Sequence, residues 1–395
     1  MIRRDLVRLA LTAPCLGAAS SLDTILREGI NRRGIPAVAA AVATPDRTTY
    51  SAGFGLRDSA SKIRVAPDSI FSVASMTKAI TTVAALQLVE KGKLALDEPV
   101  GKHLSALARL EVLEGFNASG QPVLRPAGKA VTPRHLLTHT SGFAYETWNE
   151  NLLRFSKIST GPKPILMTDP GTRWEYGTST DWLGRLVEAV SGQSLEAYFQ
   201  ANILQPLGMG DTSFILPPTK FARKVSTHQR QLDGRLEEFP RKPPTPPSSY
   251  SGGGGLVSTT VDYVRFMQMI LRRGAGPSGE RILGERWIAM MLGNQIGDLS
   301  AGKMKSYRTE RSSDVDFHPG FADKFTFGFL LNTSAHEGGR SAGSVAWAGM
   351  SNTFFWIDPT RELCAVIAMQ YLPFCDDEAV WLLRDFERAV YAQPR

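Results

Sequence analysis

Cysteine is scarce in this chain of 395 residues. Cys15, Cys364 and Cys375 make an odd number with no C-x-x-C spacing, which argues against both a disulfide framework and a structural zinc site. The histidines contain no H-E-x-x-H. His135 and His139 lie four apart in TPRHLLTHTSGF, but no acidic third ligand stands near them, and they read as structural. Nowhere do five like charges run together, so the net charge of +7 is spread thinly and implies no nucleic-acid partner. No apolar stretch approaches the roughly 18 residues of a membrane span. The absence of G-x-S-x-G argues against a nucleophile elbow at a strand-to-helix turn.

What is present is a globular composition, 43% hydrophobic and 21% charged, on a chain long enough for two or three domains or one large two-lobed one. The first 20 residues carry early arginines, a short apolar patch and small residues, features of an export signal, but Asp5 and Arg8 interrupt the patch. The alternative is an amphipathic helix running on into SLDTILREGINRRG. A cytoplasmic location is expected if that holds, a periplasmic or secreted one if the segment is a signal.

Beyond Ile35, PAVAAAVATPDRTTYSAGFGLRD predicts a hairpin turning at Pro45-Asp46. SVAWAGMSNTFFWIDPTRELCAVIAMQYL predicts two strands about Asp358–Arg361, followed by an amphipathic helix in DDEAVWLLRDFERAVYAQ. Between these hairpins helical periodicity dominates, at 76–91, 133–139, 180–191, 194–204 and 259–272. The pattern predicts one sheet built from both termini (21–72 with 305–395) and an inserted, mainly helical lobe (73–304). PRKPPTPPSSYSGGGG at 240–255 is either an interdomain linker or, since helix-like sequence resumes directly, a loop lining the lobe. This loop and the aromatic stretch 143–165 are expected to line a cleft.

In FSVASMTKAITTVAALQLVEKGKL, Ser75 and Lys78 are three apart, neighbours on one helix face. A serine hydroxyl is a weak nucleophile until a base takes its proton, and a lysine can be that base where burial or nearby cations favour its neutral form. Free N–H groups at a helix start can hold an oxyanion. The plain alternative is a capping serine and a solvated lysine. Against it, the helix after Lys78 is apolar on nearly all sides, the pattern of a buried element.

Such a pair needs a second proton-handling group. DPGTRWEYGTSTDWLG offers Tyr176, which could otherwise be a packing residue. A strand edge to align the substrate is offered by Trp347, Ala348 and Gly349, and the N–H of Met350 with that of Ser75 would make an oxyanion hole. The alternative for Gly349 is a bulge in a core strand.

Taken in order, FSVASMTK, LLTHTSGF, WEYGTS, GGGGLVST and AWAGM resemble the serine β-lactamase and DD-peptidase superfamily. The similarity is to its branch of family VIII carboxylesterases, class C β-lactamases and fungal acyltransferases, and it extends over nearly the whole chain after residue 20. The resemblance implies an α/β (α+β) β-lactamase-like fold, Ser75 as nucleophile, and Lys78 and Tyr176 as general base and acid. Thr178 stands where β-lactamases have asparagine. Trp347-Ala348-Gly349 replaces Lys-Thr-Gly, removing the cation that would hold a substrate carboxylate. The expectation is therefore a cofactor-independent serine carboxylesterase acting on small, uncharged esters. The alternatives are acyl transfer to an alcohol, β-lactam hydrolysis, or a penicillin-recognising protein without turnover.

Overall fold

The computed structural model describes residues 21–393 except 160, 162, 242 and 244. The N-terminal signal-or-helix alternative for residues 1–20, and Cys15, lie outside the described residues. Helix α1 (Ser21–Asn31) leads into a hairpin of β1 (Ala37–Ala43) and β2 (Thr48–Gly55). Helix α2 (Thr77–Glu90), α3 (Pro133–Leu137), α4 (Ser179–Ser191) and α5 (Thr260–Leu271) follow. The chain then returns to the sheet as β3 (Lys324–Phe325), β4 (Leu330–Leu331), β5 (Val345–Gly349), β6 (Thr353–Asp358) and β7 (Leu363–Ala368), and ends in α6 (Asp377–Ala392).

The seven strands lie in the order β2-β1-β7-β6-β5-β4-β3, every pair antiparallel. The two ends of the chain meet where Ala39 of β1 pairs with Ala368 of β7. Strand β1, AVAAAVA, is buried along its whole length, so it shows none of the alternation of a strand with one wet face. Neighbouring residues of β6 identify the two coverings. Phe355 meets Tyr263 of α5 and Trp356 meets Phe386 of α6, and successive side chains point to opposite faces. One helix layer therefore lies on each side of the sheet.

Two details depart from the sequence expectation. The segment read as two strands makes three, because Asn352 adopts a left-handed backbone (φ +56°) and turns the chain between β5 and β6. The periodic stretch 194–204 is α-helical only over Leu195–Phe199, and continues as a π-helical turn over Gln200–Leu204. Among the described residues no helix is long and apolar enough to cross a membrane.

Candidate active site

Ser75 sits in a single 3-10 turn, Ala74–Met76, that runs straight into α2. Ala74 holds φ at +44°, a left-handed conformation costing an L-residue roughly 1–2 kcal/mol. Tertiary contacts hold the turn in place. The Val73 N–H donates to Leu256 O at 3.0 Å, and Gly349 of β5 approaches the Val73 carbonyl so closely that any Cβ would overlap it.

Lys78 is only 2% exposed, and its amine has three acceptors. They are Ser75 Oγ at 3.2 Å, Tyr145 Oη at 3.2 Å and the Gly253 carbonyl at 2.6 Å. An ammonium carries three N–H donors, so each has a place to go. The glycine-rich run is stitched along the same helix. Thr81 donates to Gly252 O at 2.7 Å, and Leu256 N–H donates to Thr77 Oγ1 at 3.3 Å.

Tyr145 donates its phenol proton to Asp181 Oδ2 at 2.8 Å. Desolvation, with the Asp181 charge beside it, pushes its ionisation well above the ordinary value of 10. It therefore stays a neutral phenol. Asp181, in the first turn of α4, accepts a second hydrogen bond from the Ser251 hydroxyl on its other oxygen.

Tyr176 is 5% exposed, and its ring lies 4.9 Å from Lys78 Nζ. Its hydroxyl makes no hydrogen bond to Ser75 or Lys78; the Trp347 indole N–H donates to it at 3.4 Å. Rings of Tyr145, Trp148 and Trp347 surround it at 5.3, 5.3 and 4.9 Å. His139 packs on its other side at 5.0 Å, accepts from Gly177 N–H and pairs with Thr180 Oγ1. Burial, and then the nearby Lys78, lower the His139 pKa well below 6.5, so this histidine shapes the Tyr176 loop as a neutral ring. His135 closes a capping box with Thr132 at the start of α3.

Ser75, Tyr176, Trp347, Ala348, Gly349 and Met350 line one small pocket, walled further by Trp148, Met304, Phe317 and Phe374. None of the described side chains lining it is charged, the Lys78 amine standing behind Ser75. Strand β5 is interior to the sheet rather than an outer strand, but its pairing with β4 stops at Ala346. The Trp347–Gly349 half thus leaves an open edge facing Ser75. No backbone carbonyl among the described residues accepts from the Met350 N–H.

A separate cleft of about 1290 Å³ does not reach Ser75 itself, but shares Met304 and Phe317 with the small pocket. Its walls come from Arg173, residues 303–321 and 335–340, Cys375 and α6, so the loops 143–165 and 240–255, expected to line the catalytic cleft, are not among the described residues that border this separate cavity. The first contributes Trp148 to the small pocket, and the second is drawn against α2 and α4 by its glycines. Sequence reasoning also missed Tyr145 and Asp181. Tyr145 stands three residues past the glycine of HTSGF and Asp181 at a helix start, signals too common to mark either.

A sequence model of the beta-lactamase family matches residues 22–388. The chain belongs to that family. Within it, the chain is 31% identical to the monacolin J acid methylbutanoyltransferase of Aspergillus terreus, over 94% of this chain and 95% of the relative. It is 29% identical to a lovastatin esterase of Penicillium rubens, over 82% of this chain and 85% of that protein. The solved structure of a simvastatin synthase mutant from Aspergillus terreus superposes with a TM-score of 0.82 at 30% identity, covering 94% of this chain and 96% of that one. The chain thus has a beta-lactamase-like fold and relatives named as acyltransferases and an esterase. Relatives named as acyltransferases favour transfer over the hydrolysis that the sequence reading put first.

Proposed function

We propose that this chain is a serine acyltransferase that carries an acyl group on Ser75 from an uncharged ester to an alcohol, with hydrolysis as the competing outcome. The observation that carries this reading is the aromatic-walled pocket at Ser75 with a cleft of about 1290 Å³ on the far side of its shared wall residues Met304 and Phe317. That space holds a whole organic acceptor, whereas a water molecule needs only about 30 Å³. The methylbutanoyltransferase relative supports the same choice.

Ser75 Oγ attacks the acyl carbonyl while its proton passes to Lys78 Nζ, 3.2 Å away. The N–H groups of Ser75 and Met350 hold the oxyanion. The acyl C–O bond then breaks, and the leaving alcohol takes the Tyr176 phenol proton. The phenolate left behind has the Trp347 indole N–H at 3.4 Å and the Lys78 ammonium over its ring. An incoming alcohol gives its proton to that phenolate and attacks the acyl-enzyme, and Ser75 recovers its own proton from Lys78. All groups return to their starting states.

Incubation with a short-chain p-nitrophenyl ester should leave an acyl mass adduct on Ser75. Added alcohol should divert product from free acid to the new ester, and Ser75→Ala should abolish both. Free acid as sole product across a series of bulky alcohols would return the reading to a hydrolase. Normal turnover by Ser75→Ala would remove the acyl-enzyme altogether.

A further inference from the structure

We infer that Asp181 is a positioning residue that directs the lone pair of Lys78 at Ser75. The inference rests on the acyl-enzyme reading of Ser75. A phenol has one proton to give. That of Tyr145 goes to Asp181 Oδ2 at 2.8 Å, so towards Lys78, at 3.2 Å, Tyr145 can only accept. The Gly253 carbonyl, at 2.6 Å, can likewise only accept.

A neutral amine has two N–H bonds and one lone pair. With both N–H bonds held by Tyr145 and Gly253, the lone pair is left for the third neighbour, the Ser75 hydroxyl at 3.2 Å. In this orientation the serine O–H breaks and a new N–H forms as Oγ bonds to the acyl carbon, and the resulting ammonium finds all three acceptors already in place. Were the Tyr145 proton free to turn, it could occupy that lone pair, and Ser75 would lose its base.

Asp181 is itself held for this task. Ser251 donates to its second oxygen, and a Cβ on Gly253 would overlap its carboxylate. The glycine-rich run therefore supplies both one acceptor for Lys78 and the clamp on the carboxylate that decides the other. An acidic residue in a helix's first turn is favoured by the dipole alone, so the test must separate positioning from helix capping.

In Asp181→Asn, Ser251 keeps the amide oxygen, the NH₂ group faces Tyr145, and the phenol proton is turned towards Lys78. The full chain carrying this change should show kcat for a p-nitrophenyl ester reduced about 10–100-fold. KM should stay within about twofold and Tm within about 3 °C. Tyr145→Phe should lose a similar factor, and Asp181→Asn should cost nothing more in the Tyr145→Phe background. Unchanged kcat in Asp181→Asn, or losses that multiply in the double variant, would overturn the inference.

If Asp181→Asn melts far below the parent, Ser251→Ala replaces it. The expected loss is then about threefold in the parent and none in Tyr145→Phe, and an unchanged parent rate would be equally decisive. The Ser75 adduct in the parent protein reports separately on the acyl-enzyme reading. Its absence sinks that reading, whereas its presence with a fully active Asp181→Asn sinks only the role of Asp181.

Discussion

At the scale of single residues, an amine sealed from water must find acceptors for every N–H or become neutral. Lys78 has three acceptors, one of them the Ser75 hydroxyl it is proposed to deprotonate. The two phenols beside it differ. Tyr145 is committed at both ends, to Lys78 and Asp181, whereas the Tyr176 hydroxyl only accepts, from Trp347, and keeps its proton available. Tyr176→Phe tests whether that proton is used. The ring and its packing against His139, Trp148 and Trp347 are preserved, so Tm should move by no more than about 2 °C. On the proposed chemistry kcat should fall about 10²–10³-fold. Full activity in this variant would reduce Tyr176 to a packing residue.

At the scale of elements, the decisive pair is α2 and the run Ser251–Leu256. The helix is buried from Thr77 to Leu88, and the Thr77 and Thr81 hydroxyls on its first turns are met by backbone groups that the glycine run brings to them. Glycine is required where the run meets α4, because only a residue without Cβ lets the Gly253 backbone pass the Asp181 carboxylate. Gly253→Ala should push that carbonyl away from Lys78. The expected result is a kcat reduced roughly tenfold or more, with a Tm lowered by several degrees. A fully active, equally stable variant would show that the close approach is dispensable.

At the scale of the whole molecule, stability carries a pH signature from its histidines. Burial, and then Lys78, hold His139 well below 6.5, and burial is also the leading cause of the lowered values of His135, His228 and His336. The unfolded chain therefore binds protons that the native state refuses, and stability is lost as pH falls below about 6.5. Tm should be lower at about pH 5 than at about pH 7.5, and His139→Gln should flatten that dependence. A Tm that rises on acidification would contradict it. Much of this molecule is legible along the chain wherever the controlling interaction lies within one element or one turn. The first hairpin, the helix periods and the Ser75–Lys78 spacing are of this kind, because three residues on a helix always bring two side chains to one face. The turn at Asn352 and the π-helical turn after Phe199 escaped because their signals are weak. The rest of the site was decided only by folding. Tyr145 meets Lys78 across 67 residues, Asp181 meets Tyr145 across 36, and Gly253 reaches Lys78 across 175. Contacts at such separations depend on how α2, α4 and the glycine run pack together, so the sequence determined that a serine and a lysine would share a buried helix start, and tertiary packing decided which phenol and which carboxylate would attend them.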